Sequence, residues 1–85
     1  MNLVVRFVGR QGGVTEWKLE GDYTSAHFQQ LYESVVAGLK YTIRGFECRL
    51  KGGVLELIAD TDQITDDVTT KVGQIVQDAF DQLVN

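Results

Sequence analysis

The sequence contains no proline, only one cysteine and no long apolar run. A single cysteine, Cys48, excludes an internal disulfide and favours a reducing compartment. No uninterrupted run of apolar residues exceeds three, as in Leu3-Val4-Val5, whereas a membrane-spanning helix needs about 20. The first residues also lack the basic region and the apolar stretch of a secretory signal. We therefore expect a cytoplasmic protein that does not enter the membrane.

The composition is that of an ordinary globular domain. Of the 85 residues, 44% are hydrophobic and 24% are charged. These fractions are close to average usage, which argues against both disorder and fibrous structure. A chain of this length forms one small domain, since compact domains usually span about 100–150 residues. We expect a single domain over residues 1–85.

The two signs of charge are unevenly distributed. The net charge is −4, yet residues 1–53 carry seven bases and five acids, whereas residues 54–85 carry one base and seven acids. Nucleic-acid binding depends on lysines and arginines that neutralise phosphates, so an acidic chain is a poor candidate for direct DNA or RNA binding. The acidic segment 54–85 can bind a basic surface on another protein, or its charge can serve only to keep the chain in solution.

The first half of the chain predicts two strands and a helix. β-Branched and aromatic residues at 3–8 indicate a strand, the glycines after it a hairpin turn, and the alternation at 14–19 the returning strand. We expect Thr24 or Ser25 to cap the helix and Gly38 to end it in the left-handed conformation. Apolar residues at helical spacing form its buried stripe, namely Phe28, Leu31, Tyr32, Val35, Val36 and Leu39.

The second half predicts the same three elements. Residues 41–50 alternate like a strand, but the parity changes midway, and a bulge or bend at Gly45 would reconcile the two parts. After a second glycine turn, a strand spans 54–59. Thr65 caps a last helix that carries aspartates in its first turn. Its apolar stripe comprises Val68, Val72, Ile75, Val76, Ala79, Phe80 and Leu83.

A shift of 40 residues aligns the two halves without a gap. It places Gly12, Gly13, Val14, Glu16 and Asp22 on Gly52, Gly53, Val54, Glu56 and Asp62, and it keeps the two helical stripes in register. The match favours pseudo-repeats at 3–39 and 43–84. The resulting ββαββα order predicts an α+β two-layer sandwich, in which both helices cover one face of a four-stranded, mainly antiparallel sheet.

The two faces of that sheet differ in sequence. The alternation assigns to the helix-covered face Leu3, Val5, Phe7, Trp17, Leu19, Leu55 and Leu57. A solvated face is polar at nearly every alternate position, yet the opposite face mixes apolar residues with the charges of Glu16 and Lys18. It is therefore the candidate partner-binding surface, comprising Val4, Arg6, Val8, Val14, Val54, Glu56 and Ile58. Scattered valines are also common on solvated sheets, which is the alternative interpretation.

No combination of residues predicts catalysis or metal binding. His27, the only histidine, is expected near the start of a helix beside no acid or nucleophile. The alternation of its strand places Cys48 on the side that faces the core, and a buried cysteine behaves as a small hydrophobic residue. The aspartates after residue 59 resemble a calcium loop, but Thr65 and Lys71 occupy the positions of its glycine and closing glutamate. We expect no enzymatic activity, no cofactor and no metal.

The sequence favours a protein–protein interaction module, a small regulator, inhibitor or subunit. It would bind another protein, or itself as a homodimer, through the partly apolar sheet face or an edge strand. The alternative is an inhibitor of phage or mobile-element type that mimics nucleic acid. Its C-terminal helix would then block a basic groove of a nucleic-acid-binding protein with Asp66, Asp67, Asp78 and Asp81.

Residues 53–84, a strand followed by an aspartate-rich helix, are similar to the C-terminal half of the small DinI-like regulators of the SOS response. The N-terminal hairpin departs from that family, and no motif is specific enough to carry site residues across. Salt dependence separates the two functional hypotheses, because buried apolar area is screened little and surface charge is screened strongly.

Overall fold

The computed structural model describes residues 3–21 and 25–84, and it confirms the predicted order of elements. The strands are β1 (Leu3–Gln11), β2 (Val14–Gly21), β3 (Glu47–Lys51) and β4 (Val54–Ile58). The helices are α1 (Ser25–Leu39) and α2 (Asp66–Val84), and a short 3-10 helix spans Thr61–Gln63. The predicted cap at Thr24 or Ser25 and the repeat position Asp22 lie outside the residues whose side chains are described.

The four strands form one open sheet in the order β1-β2-β4-β3, and every neighbouring pair is antiparallel. Both helices pack on the same face, which confirms the predicted α+β sandwich. β1 and β3 are therefore the two edge strands. Each hairpin closes with a two-residue glycine turn, and Gly52 and Gly53 both have positive φ (59° and 76°), which a side chain with a Cβ atom disfavours.

The pairing of the two central strands follows the 40-residue shift found in the sequence. Glu16 of β2 lies directly opposite Glu56 of β4, and the pairing is symmetric about these two residues. The two hydrogen bonds that flank the ladder are also related by 40 residues: Leu19 N donates to Gly53 O (2.7 Å), and Ala59 N donates to Gly13 O (3.0 Å). Residues 40 apart thus occupy equivalent places in the sheet, while a common origin of the two halves stays a prediction.

The core lies between the sheet and the two helices. Trp17, Leu19, Leu55 and Leu57 are buried on the sheet side, as predicted. The helices contribute their predicted stripes, of which Leu31, Val35, Leu39, Val72, Val76, Ala79 and Phe80 are buried. Thr65 caps α2 as predicted, because its Oγ1 accepts a hydrogen bond from Val68 N (3.2 Å). Within the described ranges, neither helix is long and apolar enough to cross a membrane.

β1 is longer than predicted, because it continues through a bulge. Phe7 pairs with Trp17 and Gly9 with Glu16, so Val8 is an extra residue without a partner in the ladder. The bulge changes the parity of the strand after it. Arg10 therefore faces the helix side, where its guanidinium donates a hydrogen bond to Ile64 O and lies 3.5 Å from Asp66 Oδ1.

The prediction that Gly38 ends α1 in the left-handed conformation is wrong. The helix continues through Gly38 to Leu39, and the backbone there has no positive φ. A Cβ atom at Gly38 would lie 2.8 Å from Cγ2 of Ile75. Glycine is required here because α2 approaches α1 closely at this point, and a contact of that kind is invisible to local sequence patterns.

The predicted strand over 41–50 is wrong in its first half. Residues 40–46 form turns and a loop, in which Gly45 has a φ of +59°, and β3 begins only at Glu47. Gln63 holds this loop by two hydrogen bonds to the backbone of Arg44, one to its N–H (2.8 Å) and one to its C=O (2.7 Å). The parity change therefore reflects a bend at Gly45, which is one of the two predicted alternatives, and not a bulge within a strand.

Candidate functional site

The face of the sheet opposite the helices, here called the open face, is covered by no other element of the described chain. Its residues come from all four strands. They are Val4, Arg6, Val8 and Gln11 of β1; Val14, Glu16, Lys18 and Glu20 of β2; Glu47, Arg49 and Lys51 of β3; and Val54, Glu56 and Ile58 of β4. The structure thus brings together all seven residues that the sequence assigned to a partner-binding surface.

The apolar residues of the open face differ in exposure. Val4 and Val8 on the edge strand are 54% and 58% exposed. Val14 and Ile58 lie opposite each other on the central strands and are half-buried. Val54 is also half-buried. Apolar side chains therefore occur on both central strands and on β1, where they are most accessible, and charged residues lie between them.

The charges on the open face balance. Four cations, Arg6, Lys18, Arg49 and Lys51, face four acids, Glu16, Glu20, Glu47 and Glu56. Since these charges cancel, the whole of the net −4 lies elsewhere on the chain. The open face is consequently a mixed apolar and charged surface without an overall field.

The arrangement of these charges is uneven at two places. Glu16 and Glu56 are cross-strand neighbours at the centre, although like charges directly opposite each other destabilise a sheet. Towards the β1 edge, Arg6 lies opposite Lys18, and both share one carboxylate, Glu20, at 3.7 Å and 3.8 Å. On its other side Glu56 lies opposite Arg49 of β3, so the centre keeps one uncompensated carboxylate, and the β1 edge keeps one uncompensated cation.

Exposed apolar side chains concentrate on β1. Of the four large hydrophobic residues that are exposed in the described chain, three belong to this strand, and the fourth is Tyr41 in the loop before β3. Val4 and Val8 face the open side, whereas Phe7 is 45% exposed on the helix side. The sequence placed Phe7 under the helices, but α2 leaves it partly uncovered. Its ring packs edge-on against Trp17, with centroids 5.9 Å apart.

A groove of about 390 Å³ lies between β1 and α2, on the helix side of the sheet. Val5, Phe7 and Trp17 line it from the sheet, and Thr69 and Gly73 are among the residues that line it from the helix. A Cβ atom at Gly73 would have no neighbour within 4 Å in the rest of the described chain. Sequence reasoning missed this groove, and its only signal was a glycine in the middle of a helical pattern.

The four aspartates of α2 are all exposed and lie on the side of the helix that faces away from the core. Asp66 is close to Arg10 (3.5 Å), and Asp78 and Asp81 accept hydrogen bonds from Gln74 (2.8 Å) and Gln77 (3.3 Å). At a helical rise of 1.5 Å per residue, Asp66 and Asp78 are about 18 Å apart along the axis. The aspartates thus form a long acidic stripe and not one compact cluster.

The two residues considered for chemistry lie on different elements. Cys48 on β3 faces the core, and its burial raises the pKa of the thiol to about 11. At neutral pH the group is therefore a protonated thiol and not a nucleophilic thiolate. His27 is half-buried on α1. No group of three or more potential metal ligands occurs among the residues that the structure places.

A second hollow, of about 630 Å³, lies between α1 and β3, and Lys40, Arg44 and Arg49 line it together with Phe46. Lys40 directly follows the C-terminus of α1, where the helix dipole favours cations. Arg49 is 3.9 Å from Glu47. Lys40 and Arg49 thus each lie near a group of opposite charge within the chain.

Comparison with protein-family models, with curated proteins and with solved structures finds no match for this chain. Its function is therefore inferred from the surface itself.

Proposed function

We propose that this protein is a non-enzymatic interaction module that binds another protein through the open face. The observation that carries the proposal is the set of uncovered apolar residues on that face, Val14 and Ile58 on the central strands and Val4 and Val8 on the edge strand. Burial of such area yields roughly 25 cal/mol per Å² and is the main source of affinity in protein association. We further propose that the protein acts in the cytoplasm, without a cofactor.

The charges of the open face favour a different protein over a second copy. In a homodimer whose two-fold axis passes through the centre of this face, Glu16 and Glu56 of one copy would meet the same two carboxylates of the other. Burying like charges against each other costs several kcal/mol. A partner that presents an arginine or lysine within an apolar surround would instead relieve the repulsion between the two glutamates.

Nucleic-acid mimicry by α2 is the second candidate, because its four aspartates share the solvent side of one helix. Two observations weaken it. Asp66 is already close to the guanidinium of Arg10, and Asp78 and Asp81 hold glutamine amides of their own helix. The acidic stripe is thus partly engaged within the chain, whereas the apolar area of the open face is not.

Site-specific photo-crosslinking in the cells that make the protein tests the proposal. A benzophenone amino acid replaces Lys18 on the open face, Asp78 on the acidic stripe, or Gln30 on the exposed side of α1 as a control. We expect a protein adduct from position 18 and none from positions 30 and 78. Light scattering of the purified protein should give the monomer mass at both low and high salt.

The outcomes separate the candidates. Adducts at position 78 alone would support mimicry and contradict binding through the open face. A homodimer would give adducts at position 18 that contain only a second copy of this chain, and a dimer mass that is insensitive to salt. These two results together would contradict a heterologous partner. No adduct at either position would leave both proposals without support.

A further inference from the structure

The free edge of the sheet at β1 has main-chain groups available for hydrogen bonding. Leu19 N donates to Gly53 O, so the main chain of Leu19 points towards β4. In an antiparallel sheet, successive residues of a strand point their main-chain groups to alternate sides. The partners of Leu19 and Trp17 on β1, which are Val5 and Phe7, therefore form non-hydrogen-bonded pairs. Their N–H and C=O groups point away from β2, towards the open edge.

The side chains around this edge are accessible on both faces of the sheet. Val4 and Val8 are exposed on the open face, and Phe7 is exposed on the helix side beside the groove under α2. A partner that only covers the open face would leave Phe7 and the groove untouched. A strand added beside β1 projects alternate side chains to both faces and reaches all of these residues.

We propose that β1 accepts an extended segment of the partner protein as a fifth strand, and that this segment carries one acidic residue among apolar residues. The inference rests on the proposed function and specifies how the partner binds. On the helix side, apolar side chains would enter the groove above Val5 and Phe7, where Gly73 leaves space. On the open side, an acidic side chain would meet Arg6 and Lys18, which have only the carboxylate of Glu20 between them.

The charge of β1 also distinguishes this partner from a second copy. The strand contains two arginines, Arg6 and Arg10, and no acid. When β1 pairs with β1 of another molecule in the register centred on Arg6, the two copies of this arginine lie opposite each other, and like charges directly opposite each other destabilise a sheet. The bulge at Val8 limits the regular edge to residues 3–7, so the added strand is short.

The probe is a seven-residue peptide of valines with one glutamate at its fourth position, and its control replaces the glutamate with lysine. Binding is followed by the anisotropy of the labelled peptide and by NMR shifts of the Val5 and Phe7 amides. We expect the glutamate peptide to bind at least tenfold more tightly than the lysine peptide. We expect Arg6→Glu to reverse this preference, since Arg6 is exposed and its replacement leaves the core unchanged.

Two further variants test the geometry. Val5→Pro removes an N–H that points to the free edge, where proline is tolerated, and should abolish binding. Gly73→Leu projects a side chain from the helix into the groove, where its Cβ atom meets nothing within 4 Å, and should weaken binding at least tenfold even if Val5→Pro does not fold. Equal binding of both peptides, no binding at millimolar peptide, or unchanged binding to Gly73→Leu would each overturn strand addition.

The two proposals can fail separately. A protein adduct at position 18 combined with failure of the peptide experiment would discard strand addition and leave the open face as the binding surface. Absence of the adduct would remove the proposed function itself. A dimer in solution that Val5→Pro converts to a monomer would show that the edge pairs with a second copy, which contradicts an acidic partner segment.

Discussion

Gly38 of α1 and Ile75 of α2 are in such close contact that a Cβ atom on Gly38 would lie 2.8 Å from Cγ2 of Ile75. The two helices therefore pack against each other at a point where Gly38 cannot carry a side chain unless Ile75 moves.

The contact predicts opposite effects for two similar substitutions. Alanine in a helix interior is favoured over glycine by about 1 kcal/mol. Overpacking costs about 1–3 kcal/mol. Gly38→Ala should therefore lower the free energy of unfolding by about 1 kcal/mol, whereas Gly73→Ala, with nothing near its Cβ, should raise it by about 1 kcal/mol. Urea denaturation of the two variants measures both. Equal stabilisation by the two alanines would disprove the close contact.

The glutamate pair at the centre of the open face predicts a gain in stability when one charge is removed. Glu16→Gln should raise the free energy of unfolding by about 0.5 kcal/mol, because it ends the repulsion with Glu56. For a domain of this size, that corresponds to about 2–4 °C in Tm. A double-mutant cycle with Glu56→Gln should show coupling between the two sites that shrinks in 1 M salt. Strict additivity would show that the two carboxylates do not interact.

The buried thiol predicts a loss of stability at high pH. Burial raises the pKa of Cys48 from 9.0 to about 11, so the folded state favours the protonated thiol. The contribution of the protonated thiol to the free energy of unfolding is complete below pH 9 and is lost as the pH rises through about 11. The free energy of unfolding of the wild type should therefore fall more steeply between pH 9 and 11 than that of Cys48→Ala, which shares every other titrating group. Parallel pH profiles would mean that the thiol is accessible in the folded state.

The ring contact at the β1 edge predicts a change in tryptophan fluorescence. Trp17 is buried and Phe7 covers it from the side of the groove. Phe7→Ala should shift the emission of the single tryptophan to longer wavelength and increase its quenching by acrylamide. The stability loss should be about 1–2 kcal/mol, below the 3–5 kcal/mol typical of a fully buried phenylalanine, because Phe7 is half exposed. An unchanged spectrum would place the ring elsewhere.

The fold could be predicted from the sequence because its elements rest on local patterns. The alternation of Trp17 and Leu19, and of Leu55 and Leu57, identified the buried side of the two central strands. The spacing of the apolar residues identified both helices, and Thr65 marked the start of α2. The order of the strands could not be predicted from the sequence, because β2 pairs with β4 and the paired residues are about 40 positions apart in the chain.

The errors arose where distant residues decide the local structure. Ile75 explains Gly38, and the side chain of Gln63 holds the loop at Arg44 that alternation alone predicted as a strand. The bulge at Val8 has no signal in the sequence, yet it turns Arg10 towards Asp66. These are contacts between elements, which periodicity within one element does not report.

The candidate site, like the fold, could be predicted from the sequence only in part. The residues of the open face followed from strand alternation, because side chains two apart share a face. The paired glutamates, the shared carboxylate of Glu20 and the groove beside Phe7 did not follow, because each depends on which strands and helices are neighbours. The sequence was thus sufficient to predict which residues form the surface. The arrangement of their charges and the groove beside them required the structure.

Protection of a single thiol on the open face tests the central claim most directly. Lys18→Cys places an accessible thiol on that face, Ser34→Cys places one on the exposed side of α1, and the native Cys48 is buried and slow to react. Both new thiols should react rapidly with maleimide in the purified protein. Inside the cells that make the protein, the thiol at position 18 should react at least tenfold more slowly and the thiol at position 34 at its former rate. Equal labelling of both positions in cells would contradict a partner on the open face.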